Sequence, residues 1–578
     1  MFFQRWITYS LIISNCFAAN VQASSGVDGN IADYVIVGVG TAGAVLARKL
    51  TDDKKTSVIA LHTGENFTNS FILKYSKNTI FSVLAGLLGG TPTFDPMTLD
   101  LPPDVKQQLQ DLIQLTASTS QPLYESGMTI PQPDADNREL LWILPLPFGG
   151  GTSVNAGAWC RGTNQLYSQW ETIAGPEWSV ANILATFKEL ENYHGSTTNP
   201  PARGYHGLLH IRQDFPVSKL AQTFSNAIVN ATGFPFVLDY NDPNTPIGVS
   251  SQLQLTHRGD DGFYRVSSPT AFLGDDVIKK NGKGVNGRKL QVLFNSMGLR
   301  TIWDGTKAIG VQYVQDGVTK SVFANKGVIV CAGLRSSPFL LNSGVGPSGL
   351  LNSLSIPVIY DNPNVGQGLA DQPHVITVFS SNPNDSVAGS NSVFSQISWL
   401  PAPEGDPTSR QLRLTTVDAI PGITLALLDL CQPLSRGSVS INSANPLAPP
   451  VIDLGELTNS NDLALYISGF QNYIKNINIQ IQTIDPQYRL IFPDPAIIDD
   501  VGLLTAFIRE SIDANMHFQS HCRMAPLGQG GVVNSSGQVY GVQNLYVADN
   551  SIVPQCMDGS PMASAYLIAA MIARLLGY

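Results

Sequence analysis

Residues 33–50 read DYVIVGVGTAGAVLARKL, and no other stretch restricts the possible folds of this chain as strongly. Residues 34–37 form a β-branched apolar run, the pattern of a buried strand, and residues 44–50 have the spacing of a helix. Between them Gly38, Gly40 and Gly43 make a GxGxxG turn. Gly38 permits the tight turn, Gly40 lets backbone approach a pyrophosphate, and Gly43 allows close helix–strand packing. Thr41 and Ala42 complete the turn, so the unpaired N–H groups and dipole of the helix face the phosphates. Residues 57–61 read as a second parallel strand, which completes a βαβ unit. The expected ligand is a dinucleotide, FAD or NAD.

At 578 residues the chain is long for a single core, and two joined domains are the default. With 43% apolar and 13% charged residues it should bury a large core rather than remain disordered. A net charge of −10 without any basic run argues against nucleic-acid binding. The first 23 residues place Arg5 before an apolar run and end in small residues, the pattern of a signal peptide, so a secreted or extracytoplasmic protein is expected. No later apolar stretch reaches the roughly 18 residues of a membrane span. Beyond Cys16, Cys160, Cys331, Cys431, Cys522 and Cys556 are widely spaced and odd in number, which favours buried free thiols over a disulfide framework. No histidine or cysteine spacing suits a metal, and none is predicted.

Further along, an apolar segment (residues 80–88), a proline-rich turn (92–103) and a helix (104–115) are expected. Strands are expected at 290–294, 309–314 and 328–332, a short helix at 338–341, and an apolar helix at 563–576. Glycines cluster in GGGTSVNAGAWCRG (149–162), where backbone can approach a flat cofactor without Cβ clashes and Thr152 and Asn155 add polar groups.

Four separated segments resemble the glucose–methanol–choline (GMC) family of FAD-dependent oxidoreductases. They are the opening fingerprint; residues 149–162; AGLRSSPFLLNSGVGP (332–347) followed by VGQGLADQP (365–373); and HFQSHCRM (517–524) with VYGVQNLYVADNSIVP (539–554). The resemblance implies an α/β, GMC-type two-domain fold. A Rossmann-like FAD-binding domain (28–65, 145–165, 216–365 and 520–578) would be interleaved with an α+β substrate domain built on an antiparallel sheet (66–144, 166–215 and 366–519). It also implies that Gly150, Gly151, Thr152, Asn155, Ala156, Gly157, Ala158, Leu299, Asp549, Asn550, Pro561 and Met562 lie against FAD.

By the same resemblance His517 is the catalytic base, which suits an imidazole whose ordinary pKa of about 6.5 lies near neutrality. His521 stands where the family has a small residue or Thr, and His194, His206, His210, His257 and His374 match no catalytic position. Three departures stand out. The family's second active-site residue, His or Asn, falls on Ser560, which cannot act as an unaided base; Ser560 followed by Pro561 reads as an N-cap and first helical residue. The ribose-binding Glu falls on His62, which holds a diol less well than a carboxylate. The SPxLL segment is one residue short, so its turn must be rebuilt. The expectation is a secreted FAD-dependent enzyme that oxidises a small-molecule alcohol, passes electrons to O2 or another acceptor, and exists as a monomer or homodimer. A hydroxynitrile-lyase-like enzyme and a catalytically weakened surface scaffold are the alternatives.

Overall fold

The structure, a computed structural model, describes residues 30–66, 124–213, 217–258, 264–385 and 394–578. The expected signal peptide and the elements expected at 80–88, 92–103 and 104–115 lie outside the described residues. The fingerprint folds as read, with a strand Ile31–Val37, a helix Thr41–Thr51 and a strand Ser57–Leu61 parallel to the first. Lys289–Leu293 extends this sheet on one side and Val318–Val330 on the other, both in parallel register. Leu545–Val547 adds a further parallel strand against Val328–Val330, and Lys307–Gln315 and Ser296–Asp304 continue it antiparallel. The central strands are buried on both faces, which explains why they read as continuous apolar runs rather than alternations. The last helix, Met562–Leu575, packs against Thr41–Thr51 and is buried along nearly its whole length.

A second sheet is wholly antiparallel. Its order is Arg489–Phe492, His374–Ser380, Ile423–Leu430, Leu412–Ile420, Phe394–Leu400 and Gly248–Ser250, with Ile512–Asp513 on the His374 strand. One face carries Val375, Leu400, Leu412, Leu414, Ala426, Leu428 and Leu430 into a core shared with helices Lys219–Thr232 and Lys475–Ile484. The other face is different. Trp399 pairs with Arg413, Arg413 with Asp429, and Asp429 with His374, so register alone aligns a polar row across four strands.

The two-domain α/β architecture agrees with the expected fold, but two domain boundaries move. Residues 219–250, placed with the nucleotide domain, supply a helix and an edge strand to the antiparallel sheet. Helices Asn164–Ala174 and Val180–Leu190 and the turn Pro176–Trp178 between them, placed with the substrate domain, bury Trp170, Trp178 and Phe187 in the nucleotide-domain core. Their apolar stripes fix the partner only through tertiary packing, which sequence order does not reveal. All five cysteines from Cys160 onward are free and buried. Among the described residues no helix is long and apolar enough to cross a membrane, and no cluster could hold a metal ion.

Candidate active site

Where the two sheets meet, an elongated cavity of ≈ 480 Å³ runs from the glycine fingerprint to the polar row. At one end Gly38 (φ +96°) leaves the first strand so close to its neighbour that a Cβ would lie 2.5 Å from the Cys331 carbonyl oxygen. Gly40 and Gly150 face each other across the floor, a Cβ on Gly150 falling 3.2 Å from the Gly40 Cα. Gly40 stands at the N-cap of helix Thr41–Thr51 and provides no side-chain cap, which leaves the first-turn N–H groups for an anion.

Beside these glycines His62 is buried against Phe148 and Phe294, with ring centroids 5.4 and 6.3 Å away. Burial lowers its pKa to about 4, opposed by the Leu146 backbone, so it is neutral. Its Nε2 is buried and has no hydrogen-bond partner among the described residues. A bare neutral nitrogen on a dinucleotide-shaped cavity suits a ribose hydroxyl, where a carboxylate between two aromatic rings would be poorly solvated. The glycine cradle, the uncapped helix and this orphaned nitrogen together fit FAD.

Most residues expected against the cofactor line the cavity: Gly38, Gly40, Thr41, Ala42, His62, Gly150, Gly151, Asn155, Ala156, Gly157, Ala158, Leu299, Asp549, Asn550, Pro561 and Met562. Gly43 and Thr152 do not. Gly43 is a packing position, since a Cβ there would lie 2.0 Å from the Gly38 carbonyl oxygen. Thr152 turns inward, donating to the Gly149 carbonyl (2.8 Å) and accepting from the Ser268 N–H (3.0 Å). Asp549 lines the cavity with a carboxylate already engaged, accepting from Ser551 N–H (2.8 Å), Gly333 N–H (2.8 Å) and the Ser336 hydroxyl (2.6 Å). Its part is to tie the segment after Cys331 to the last strand.

At the other end stands His517, half-buried on the cavity wall. Asp371 fixes its backbone, accepting from the N–H groups of Asn515 (2.7 Å) and His517 (2.6 Å). The ring is oriented by Gln372. That amide donates through Nε2 to the carbonyls of Cys431 (2.6 Å) and Met557 (2.8 Å), so its Oε1 faces His517 Nδ1 at 2.8 Å. An amide oxygen can only accept. The proton therefore sits on Nδ1, and Nε2, with no protein partner among the described residues, carries the lone pair. Burial, then the charges of Arg413 and His374, hold its pKa well below the ordinary histidine value.

Ser560 is not the cap its sequence suggested. The final helix starts at Met562 with Pro561 at the N-cap and no side-chain cap, and the Ser564 hydroxyl donates back to the Pro561 carbonyl (2.7 Å). The Ser560 hydroxyl accepts instead from Arg413 Nη1. The guanidinium is held from behind by Asp429, Nε to Oδ2 at 3.0 Å, and Asn515 Nδ2 donates to the other carboxylate oxygen at 2.6 Å. Arg413, Asp429 and His374 all line the cavity, and sequence reading missed all three. A signal existed for one of them, because Arg413 is a lone charge between Leu412 and Leu414 in a strand. His374, passed over for lack of a motif, is buried beside His517, and neither ring nitrogen has a hydrogen-bond partner among the described residues. His521 lies off the cavity, fully buried, with Nδ1 2.8 Å from the Ser337 hydroxyl.

Comparison with known proteins agrees with this architecture. Family models described as GMC oxidoreductase match residues 32–374 (the N-terminal part) and 433–569 (the C-terminal part). The chain belongs to the GMC oxidoreductase family. An uncharacterized GMC-type oxidoreductase of Mycobacterium tuberculosis is 30% identical over 94% of this chain and 99% of its own length. The alcohol dehydrogenase [acceptor] of Pseudomonas putida is 26% identical over 94% of this chain and 95% of its own. Pyridoxine 4-oxidase from Mesorbium loti superposes with a TM-score of 0.77 at 22% identity, covering 94% of this chain and 99% of that one, a likeness of fold. FAD is the cofactor of this GMC oxidoreductase.

Proposed function

We propose that this GMC oxidoreductase oxidises the CH–OH group of a small alcohol, with His517 as the base. One observation carries the reading: the histidine that presents a bare Nε2 shares a single cavity with the glycine cradle. FAD, when bound, supplies the hydride acceptor. His517 Nε2 takes the hydroxyl proton as the carbon–hydrogen bond breaks, and its depressed pKa keeps it unprotonated and ready at neutral pH. Gln372 holds the ring in the productive tautomer. The N-terminus of helix Met562–Leu575, whose residues Pro561, Met562 and Ala565 line the cavity, presents uncapped N–H groups to developing negative charge. Apolar Leu253, Phe394, Ile397 and Leu427 exclude water from the substrate end.

A second element of the proposal is export, supported by the composition of the first 23 residues; N-terminal sequencing of protein recovered from the medium should begin after them. The reaction is tested by the visible spectrum of purified protein followed by anaerobic addition of alcohols. The oxidised flavin band should be present and should bleach. His517→Ala should keep the band and slow bleaching by about 10²–10⁴-fold, the usual worth of a positioned base. Protein that takes up no FAD refutes the proposal, and aldehyde release without bleaching replaces it with lyase chemistry.

A further inference from the structure

The position that the sequence assigns to a second imidazole or amide holds a serine, yet the space around it is not left without a strong donor. Arg413 enters from the middle of the antiparallel sheet and donates through Nη1 to the Ser560 hydroxyl. Because that oxygen accepts from a guanidinium, its own hydrogen is polarised and turned away from the arginine. The buried Cys160 thiol beside Ser560 competes for that hydrogen, and Asp429 behind the guanidinium competes for the cation, which also lies near the Cys431 thiol and the Trp399 ring. The Arg413 side chain is 9% exposed and Asp429 1%. Arg413 Nη2 makes no hydrogen bond among the described residues, and the residue lines the same cavity as His517.

The charges are arranged to stay put. Both Asp429 oxygens are occupied, one by Arg413 Nε and one by Asn515 Nδ2, so the carboxylate has no lone pair directed at a ligand in preference to its partners. The pair is neutral overall, but its positive end is the one that reaches Ser560 next to the final helix N-terminus. His374, also against the cavity, has its pKa lowered by burial, with Asp429 opposing the shift. A fixed dipole aimed into a water-poor cavity stabilises negative charge at its tip without reorganisation.

We propose that Arg413 and Ser560 form an oxyanion-binding arm that stands in for the missing second residue, with Asp429 and Asn515 as positioning residues. This deepens the function proposed above and rests on it. The oxyanion has two possible sources: the alkoxide that forms as His517 removes the hydroxyl proton, or a carboxylate carried by the substrate. In both cases a cationic alcohol with a quaternary ammonium group is disfavoured, since it would meet the guanidinium.

The test compares benzoate with benzamide, near-isosteres that differ in charge, by their perturbation of the visible spectrum of the oxidised, FAD-loaded enzyme. This readout needs no turnover, so its failure is distinguishable from failure of alcohol oxidation. Benzoate should bind at least about tenfold more tightly, the worth of one charge-assisted hydrogen bond. In Arg413→Gln combined with Asp429→Asn, which removes both charges and strands neither, the ratio should fall to about one. Ser560→Ala, which removes no charge, keeps the question answerable if the double variant does not fold. Stopped-flow flavin reduction in Ser560→Ala separates the sources. If the oxyanion is the alkoxide, reduction by benzyl alcohol slows by about 10²-fold with little change in binding. If it is a substrate carboxylate, mandelate binds about tenfold more weakly while its limiting rate holds. Equal binding of benzoate and benzamide by the wild type overturns the proposal, as does an unchanged Ser560→Ala variant with both substrates.

Discussion

Gln372→Leu is the substitution that most directly tests how this site is built. It is nearly volume-conserving, but it removes the acceptor for His517 Nδ1 (2.8 Å) and the donors to the Cys431 and Met557 carbonyls (2.6 and 2.8 Å). Three buried neutral hydrogen bonds at about 1 kcal/mol each give a stability loss of about 3 kcal/mol, with the two orphaned carbonyls pushing it upward. The chemical effect is separate. Pointing a bare nitrogen at the Gln372 oxygen costs about 1–3 kcal/mol beyond the lost bond, enough to keep nearly every molecule in the Nδ1–H tautomer. With leucine the tautomers approach balance and the ring loses its orientation, and losses of this kind in outer-shell partners are about 10–100-fold. Gln372→Glu is the informative companion. It keeps an acceptor and places a carboxylate beside the ring, which favours the imidazolium and raises the His517 pKa. The base works only when neutral, so activity is lost as pH falls through that pKa, and raising it moves the acid limb of kcat/KM to higher pH. Anaerobic flavin reduction across pH, with thermal melts of the same samples, measures both effects. A folded, FAD-loaded Gln372→Leu enzyme that reduces its flavin within about twofold of wild type refutes the tautomer argument.

Two further outcomes follow from the same structure. Gly38→Ala forces a Cβ to 2.5 Å from the Cys331 carbonyl oxygen at φ +96°, so it should lose about 2–4 kcal/mol and purify without flavin colour; a normal denaturation midpoint and a full visible band would contradict it. The protein should also be acid-labile. Burial lowers the pKa values of His257 and His521 from 6.5 to about 3. Both imidazoles stay neutral in the folded protein but bind protons in the unfolded chain below pH 6.5, so their contribution is complete above that pH and declines toward pH 3. By pH 5.5 the two together remove about 3 kcal/mol, visible as a falling melting temperature that His521→Gln flattens; a level profile from pH 7 to about 5 would count against it.

Much of the nucleotide half was legible because its chemistry is local. A strand, a glycine turn and a helix within eighteen residues specify their own geometry, and Gly38 and Gly43 stand where backbone approach leaves no room for a side chain. The same locality explains the partial misreading of Thr152 and Gly43. A motif gives membership of a loop, but which side of the loop faces the cavity depends on what packs behind it, here Ser268 and the Gly38 carbonyl. Ser560 misled for a related reason. Ser-Pro before an apolar run satisfies the capping pattern, but a guanidinium 147 residues away in sequence offers its hydroxyl a charged partner that a cap does not.

By itself, the sequence determined the parallel sheet, the interleaving of two domains, the dinucleotide turn and the position of His517. Each of these rests on residues close in the chain or on a pattern that covers most of its length. Only the tertiary structure decided the substrate end. His374, Arg413 and Asp429 come from three strands and meet because antiparallel register puts directly paired residues on one face, and Gln372 reaches His517 from 145 residues away. Such neighbours have no spacing along the chain to betray them, since the distance that matters is the 4.5–5.5 Å typical between paired strands.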